Sequence, residues 1–90
     1  MDELKNLRDE IDKTDKEILS AFERRMGICK EIAEYKKKNN IKVFDKERET
    51  EVLEGRTKML ENVELKDECL SLFKALMQIS KDYQEKLMGE

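Results

Sequence analysis

The feature that most constrains the fold is one uninterrupted helical pattern from Leu4 to Lys38. This stretch contains no proline, and its only glycine is Gly27. Its apolar residues recur at steps of three and four, as expected for one face of a helix. They are Leu4, Leu7, Ile11, Ile18, Ala21, Phe22, Cys29, Ile32 and Ala33. At about 1.5 Å per residue, a helix of this length would be on the order of 50 Å long.

A helix of that length extends beyond any core that one chain of this size can build. A globular domain of 90 residues is only about 25 Å across. The apolar face of the helix therefore predicts packing against a second chain. Oligomerisation is also favoured because a core formed by so few residues is marginally stable alone.

The composition indicates a single all-α domain spanning residues 1–90. Charged residues make up 46% of the chain, hydrophobic residues make up 38%, and proline is absent. No stretch alternates with a period of two, so strands are not expected. We expect three helices in each chain, the first very long. The sequence leaves open whether this domain stands alone or belongs to a longer protein.

Two shorter helices are expected after the first. Asp45 is a favourable N-cap for a second helix, which we expect to end near Leu60. A third helix is expected from about Leu65 to Met88. Its expected inward face has helical spacing and is mostly apolar. That face consists of Leu65, Cys69, Leu72, Phe73, Leu76, Ser80, Tyr83 and Leu87.

Charge and hydropathy exclude several classes of partner. The net charge is -3 and no basic arm is interleaved with aromatics, which argues against nucleic-acid binding. No apolar run reaches the length of a membrane span, and Met1-Asp2-Glu3 does not begin a signal peptide. We therefore expect a cytoplasmic protein without membrane contacts. In that compartment Cys29 and Cys69 are expected to be reduced core residues rather than a disulfide.

The missing residue types narrow the chemistry. The chain has no histidine, which excludes a Cys/His metal site, a Ser-His triad and an imidazole general base. Its three glycines do not form a phosphate-binding loop. We expect no metal and no bound cofactor. An enzyme with this composition would work through carboxylates, cations and hydrogen bonds.

Cations interrupt the apolar face of the first helix. Arg25 and Lys36 are eleven residues apart, so their side chains should point within about 20° of each other. Arg8 lies seventeen residues before Arg25, which corresponds to about 25 Å along the helix axis. An antiparallel partner helix would bring Arg8 of the partner subunit beside Arg25 and Lys36. The alternative is that each long side chain lies on the apolar face with its charge in solvent.

The other two helices add polar residues to faces that should be inward. In the second helix the inward positions are expected to be Arg48, Val52, Arg56 and Met59, with Glu49 and Leu53 beside them. In the third helix, Ser80 and Gln84 lie one turn apart. Ser80 could instead bond the carbonyl one turn back while Gln84 extends into solvent.

Together these faces carry more cations than carboxylates. Buried cations need counter-charge, and Glu49 alone does not balance Arg25, Lys36 and Arg48. A ligand with two carboxylates, held by arginine side chains, would supply the missing charge.

At this point the sequence resembles the small all-helical (AroQ-type) chorismate mutases. The resemblance covers essentially the whole chain, and it rests on an ordered set of short motifs with characteristic spacing. They are Leu7-Arg8-Asp9-Glu10-Ile11-Asp12, Asp15, Ile18-Leu19, Arg25, Ile32, Lys36, Asp45-Lys46-Glu47-Arg48-Glu49, Ile79-Ser80 and Gln84. Thr14, Ala21 and Met26 depart from the residues expected at their positions, and these are changes of packing.

The resemblance implies a three-helix protomer that intertwines with a second into a six-helix homodimer. It implies two active sites, each completed by one arginine from the other chain, which matches Arg8. Arg8 of the partner subunit and Arg25 would bind the carboxylates of chorismate. Lys36 and Gln84 would donate hydrogen bonds to its ether oxygen.

The remaining matched residues would hold the substrate's ring. Glu49, helped by the backbone at Asp45, matches the residue that binds the ring hydroxyl. Arg48 and Ser80 match groups that hold the ring carboxylate and order the pocket. The family's reaction is the Claisen rearrangement of chorismate to prephenate, on the path to phenylalanine and tyrosine. It requires no acid, base, nucleophile or metal, in agreement with the absence of histidine.

Two other functions remain open from the sequence. An isochorismate pyruvate lyase on the same scaffold would share the cationic pocket and the dimer. A non-catalytic helical dimer, acting as an interaction or ligand-sensing module, would use the cations only for structure. Turnover of chorismate or isochorismate distinguishes these possibilities.

Overall fold

Three α-helices and one short 3-10 helix make up the fold of residues 2–89. The computed structural model describes residues 2–89 and contains no strand in that range. The elements are α1 (Asp2–Lys38), α2 (Lys46–Lys58), a 3-10 helix (Val63–Leu65) and α3 (Lys66–Met88). These bounds confirm the expected all-α chain with three helices and a very long first helix.

The helix ends differ from the sequence expectation by a few residues. α1 begins at Asp2 rather than Leu4, and α2 ends at Lys58 rather than near Leu60. The backbone N–H groups of Met59 and Leu60 donate to carbonyls only three residues back, at 3.1 and 3.3 Å, so this end of α2 tightens and stops. Leu65 belongs to the 3-10 turn and directly precedes α3.

The connection between α1 and α2 is shaped by local hydrogen bonds. Asn40 has a φ of 56°, the left-handed conformation that closes a helix, and the Ile41 N–H donates to the Lys36 carbonyl at 2.8 Å. Asp45 is the N-cap of α2, as expected, and its side chain accepts from the Arg48 N–H at 3.0 Å.

The molecule is elongated, and α3 packs against both α1 and α2. Its principal extents are 56 × 24 × 16 Å, so the expected rod is the longest dimension of the chain. The buried apolar residues are few. They are Cys29, Ala33, Val43, Val52 and Cys69. Both cysteines are free and buried, as expected.

The first half of α1 lies outside this core. Every residue from 2 to 21 is exposed, including Leu4 at 52%, Ile11 at 60% and Ile18 at 59%. This exposure is what the sequence predicts for a face that packs on a second chain, and the dimer itself stays a prediction. No helix within residues 2–89 has the length and hydropathy needed to cross a membrane.

Some side chains expected inside are exposed in the single chain. Met59 is 72% exposed because it is the C-cap of α2, where the chain leaves the helix. That expectation was wrong for Met59. Leu65 and Leu72, from the expected inward face of the third helix, are 47% and 55% exposed.

Candidate active site

A cavity of about 290 Å³ lies between the three helices and the connection from α1 to α2. Seven of the eight residues that the sequence assigns to the site line this cavity. The complete lining is Arg25, Cys29, Ile32, Lys36, Val43, Asp45, Arg48, Glu49, Val52, Arg56, Met77, Ser80, Lys81 and Gln84. Its volume is near the lower end of small-molecule sites, which begin at about 300 Å³.

α1 contributes two cations from the same helix face. Arg25 and Lys36 both line the cavity, which confirms that their spacing puts them in phase. The Lys36 ammonium donates to the Val43 carbonyl at 2.9 Å, in the connection between α1 and α2. An ammonium has three donors, so Lys36 retains donors for a ligand while it makes this bond.

Arg25 is held in place by α3. Its guanidinium donates to the Ser80 hydroxyl and to the Leu76 carbonyl, the latter at 3.4 Å. The Ser80 hydroxyl in turn donates to the same carbonyl at 2.7 Å, the bond one turn back that the sequence allowed. Ser80 is only 7% exposed. This hydroxyl therefore satisfies its own helix and also positions the guanidinium.

Gln84 is buried rather than solvent-directed. It is 7% exposed, and its Oε1 has no hydrogen-bond partner among residues 2–89. The possibility that Gln84 extends into solvent is therefore wrong, because its position on α3 faces the cavity. A buried amide oxygen without a donor is destabilising, by about 1–3 kcal/mol. A ligand or water molecule that donates a hydrogen bond would remove that cost.

Four polar residues of α2 and its N-cap line the cavity together with Val52. Asp45, Arg48, Glu49, Val52 and Arg56 share this face. The Asp45 carboxylate is committed to capping the helix. The Arg48 guanidinium forms an ion pair with Glu51 on the exposed side of the helix. Glu49 is half-buried and makes no side-chain hydrogen bond or ion pair within residues 2–89.

The cavity lining is strongly cationic. Five lining side chains are cations, whereas two are carboxylates. The sequence placed Arg56 on an inward face but assigned it no function, and it did not indicate Lys81 as a site residue. Lys81 follows Ser80 directly and precedes Gln84 by three residues, a spacing that would have put it on the same face. Residues 2–89 contain no group of three or more potential metal-ligating side chains.

Both of these additional cations lie over aromatic rings. The Arg56 guanidinium carbon is 5.9 Å from the centroid of the Phe73 ring. The Lys81 ammonium is 5.2 Å from the centroid of the Phe44 ring. Within the described chain, neither cation forms an ion pair with a carboxylate.

Arg8 is the one expected site residue that does not line the cavity. It lies in the exposed half of α1, seventeen residues before Arg25. Its contribution to a site on the partner subunit stays a prediction.

Comparison with known proteins identifies the family of the chain. The family model described as chorismate mutase type II matches residues 7–85. A curated relative is the bifunctional chorismate mutase/prephenate dehydratase of Aquifex aeolicus (strain VF5), which is 46% identical over 54 residues. The match covers 60% of this chain but only 15% of that relative. No solved structure matches. The chain belongs to the chorismate mutase type II family.

Proposed function

We propose that this family member catalyses the rearrangement of chorismate to prephenate in the cytoplasmic synthesis of phenylalanine and tyrosine. The observation that carries the proposal is a single cavity in which Arg25, Lys36, Glu49 and the buried amide of Gln84 converge. No cofactor or metal is required, because a Claisen rearrangement needs no acid, base, nucleophile or metal and the protein acts by binding and orienting its substrate.

The charge of the cavity suits a dicarboxylate. Chorismate carries two carboxylates, and Arg25 presents a guanidinium whose orientation is set by Ser80. A planar guanidinium binds a carboxylate through two parallel hydrogen bonds. Arg48 lines the cavity from α2 and would assist at the ring carboxylate after exchanging its exposed partner Glu51. Exposed ion pairs contribute little stability, so breaking the pair between Arg48 and Glu51 requires little free energy.

Catalysis would come from restraint and from charge stabilisation. Holding the enolpyruvyl arm of chorismate over its ring brings the two carbons that form the new bond together. As the C–O bond breaks, negative charge grows on the ether oxygen. Lys36 and Gln84 line the cavity from different helices and would donate hydrogen bonds to that oxygen. Such donors stabilise the transition state more than the ground state.

The ring hydroxyl would be bound at the α2 wall. Glu49 is half-buried and its carboxylate accepts hydrogen bonds, so it suits a hydroxyl donor. The backbone at Asp45, where α2 begins, would bind the same hydroxyl. This arrangement fixes the face of the ring over which the arm must fold.

The site would be completed in a homodimer by Arg8 of the partner subunit. Two observations support this assembly: the apolar face of α1 is exposed, and Arg8 does not line the cavity of its own chain. A six-helix dimer would cover that face and supply a second guanidinium for the substrate's other carboxylate.

The direct test is to incubate the protein with chorismate and follow the loss of its absorbance, with prephenate identified as product. Turnover should persist after exhaustive dialysis against a chelator. A parallel incubation with isochorismate should release no pyruvate. Release of pyruvate without conversion of chorismate would show that the protein is an isochorismate pyruvate lyase and not a mutase. If neither substrate is converted, the remaining interpretation is a non-catalytic binding module.

A further inference from the structure

Lys81 occupies a position in the cavity that the mechanism above does not use. It is half-buried on the cavity face of α3, directly after Ser80 and three residues before Gln84. Its ammonium lies over the ring of Phe44, in the connection before α2. We propose that Lys81 is a substrate-binding residue whose ammonium leaves Phe44 and pairs with a carboxylate of the bound dianion. The inference rests on the proposed function, because it requires a dicarboxylate ligand.

The charge balance of the cavity leaves Lys81 without a counter-ion. Of the two lining carboxylates, Asp45 caps α2, so Glu49 alone faces several cations. The ion pair between Arg48 and Glu51 is the one salt bridge within residues 2–89, and Lys81 has none. A half-buried ammonium without a carboxylate partner gains more from an incoming anion than a fully solvated one does.

Phe44 holds the ammonium only weakly. The separation of 5.2 Å is within cation–π range, but Phe44 is 54% exposed, so water competes for the charge. A charge-assisted hydrogen bond to a carboxylate is stronger than an exposed contact with a ring. The lysine stem has four flexible carbons, so its ammonium can move from the ring to the ligand while the helix stays in place.

Position favours Lys81 over the other unassigned cation. Arg56 lies seven residues beyond Glu49 on α2 and stacks on Phe73 of α3. Lys81 is instead adjacent to the two buried polar residues of the cavity, Ser80 and Gln84. It therefore approaches the ligand from the wall where hydrogen-bonding groups are already buried.

The test is steady-state kinetics with chorismate for Lys81→Met, which keeps the side-chain length and removes the charge. The loss of one partly exposed ion pair should raise KM by about tenfold and change kcat by less than about twofold. Lys81→Arg should restore most of the affinity. The control is Lys86→Met on the same helix, which removes an exposed lysine outside the cavity and should leave both constants unchanged.

Phe44→Leu separates ligand binding from a structural tie between Phe44 and Lys81. If Lys81 contacts Phe44 only while no ligand is bound, replacing Phe44 frees the Lys81 ammonium, and KM should fall by about two- to fivefold. If the contact merely ties the connection to α3, both substitutions should raise KM and lower the melting temperature together. Opposite changes in KM support the proposal, and parallel increases overturn it. Circular dichroism establishes that each variant is folded.

Failure of this inference differs from failure of the proposed function. An active wild type with an unchanged KM in Lys81→Met overturns the role of Lys81 and leaves the mutase intact. A wild type that binds chorismate without converting it overturns the mutase, and a dissociation constant measured by calorimetry then tests Lys81 directly. A weaker Kd in Lys81→Met supports the role of the ammonium, and an equal Kd overturns it. A wild type that does not bind chorismate overturns both.

Discussion

The two halves of α1 have different environments although they form one continuous helix. Residues 2–21 are exposed throughout, whereas Cys29 and Ala33 are buried against the rest of the chain. The apolar spacing is the same in both halves, so local sequence does not cause the difference. It arises because α3 covers only the second half of α1. The difference shows that a regular apolar face predicts that a helix will be packed against another element. It does not show which chain supplies that element.

The largest expected effect comes from placing a charge on the exposed half. Ile11→Asp should prevent dimerisation, lower helicity and reduce kcat/KM by more than about 10³-fold, because an unpaired carboxylate in an apolar interface is strongly destabilising. Sedimentation across a dilution series, circular dichroism and the chorismate assay measure these changes. Ser20→Asp adds the same group to the opposite side of α1, where it is also exposed, and should have no such effect. If Ile11→Asp is a well-folded, active monomer at micromolar concentration, the exposed half of α1 does not need a second chain to cover it.

The next effect concerns the buried half of the molecule. Gln84→Glu should lower kcat/KM at pH 7 by about 10²–10³-fold, the loss typical of removing an oxyanion donor. The ionised carboxylate would lie beside an oxygen that is gaining negative charge. Protonated, it donates the missing hydrogen bond, so activity should be present at low pH and be lost as pH rises through its pKa. An ordinary glutamate pKa is about 4.3, and profiles from about pH 4 to 8 bracket it.

Two controls are needed to interpret the pH profile of Gln84→Glu. The wild type has no titrating group at position 84 and should show no matching rise at low pH. Gln78→Glu makes the same change on the exposed side of α3, where Gln78 donates to Asp82 at 2.8 Å, and should keep kcat/KM near wild type. A flat profile with little loss for Gln84→Glu would mean that this side chain does not reach the breaking bond.

A smaller effect tests whether the exposed half serves the other chain's cavity. Arg8→Ala alone should lower kcat/KM by about 10–100-fold, the expected cost of a lost charge-assisted hydrogen bond. An inactive Lys36→Ala chain is then unfolded and refolded with the Arg8→Ala chain. In each mixed dimer both defects fall in one site and the other site is intact. Random mixing should recover roughly a quarter of wild-type activity, since half of the dimers are mixed. Mixed dimers without recovered activity would place Arg8 in its own chain's site.

The smallest effect should come from Thr14, which interrupts the apolar face of the exposed half. Its hydroxyl donates to the Glu10 carbonyl at 3.0 Å. Thr14→Leu should raise the melting temperature by a few degrees if a partner covers this face, because each buried methylene contributes about 0.8 kcal/mol. Thr50→Leu is the matched control, since Thr50 makes the same kind of bond on the exposed side of α2, at 3.2 Å to the Lys46 carbonyl. Equal shifts for both variants would indicate that α1 remains uncovered.

Helical periodicity predicted much of the fold and part of the cavity. The spacing of Arg25 and Lys36 was sufficient to put both on one wall, because a helix converts a count of residues into an angle. The N-cap at Asp45 was predictable because its side chain and the N–H groups it binds are neighbours in sequence. Such properties depend on only one helix or one turn.

The features that sequence did not predict depend on contacts between helices. The periodicity of α3 left open whether Gln84 is buried or extends into solvent, and its burial depends on α1 and α2, which enclose that face of α3. Met59 is exposed because α2 ends one residue earlier, which the hydropathy pattern does not mark. Lys81 was overlooked because a lysine on a helix usually extends into solvent, whereas the position of Phe44 depends on how the connection folds back.

The continuity of α1 also limits which changes of chain length the protein could accept during evolution or in engineering. If α1 supplies Arg8 to one site and Arg25 to another, the sixteen residues between them set both a separation and an angle. Inserting one residue there would rotate Arg8 by about 100° relative to Arg25, and inserting seven would restore the angle but add about 10.5 Å. The connection between α2 and α3, whose residues do not line the cavity, carries no such constraint. Insertions and deletions should therefore accumulate outside this helix and be absent from residues 9–24.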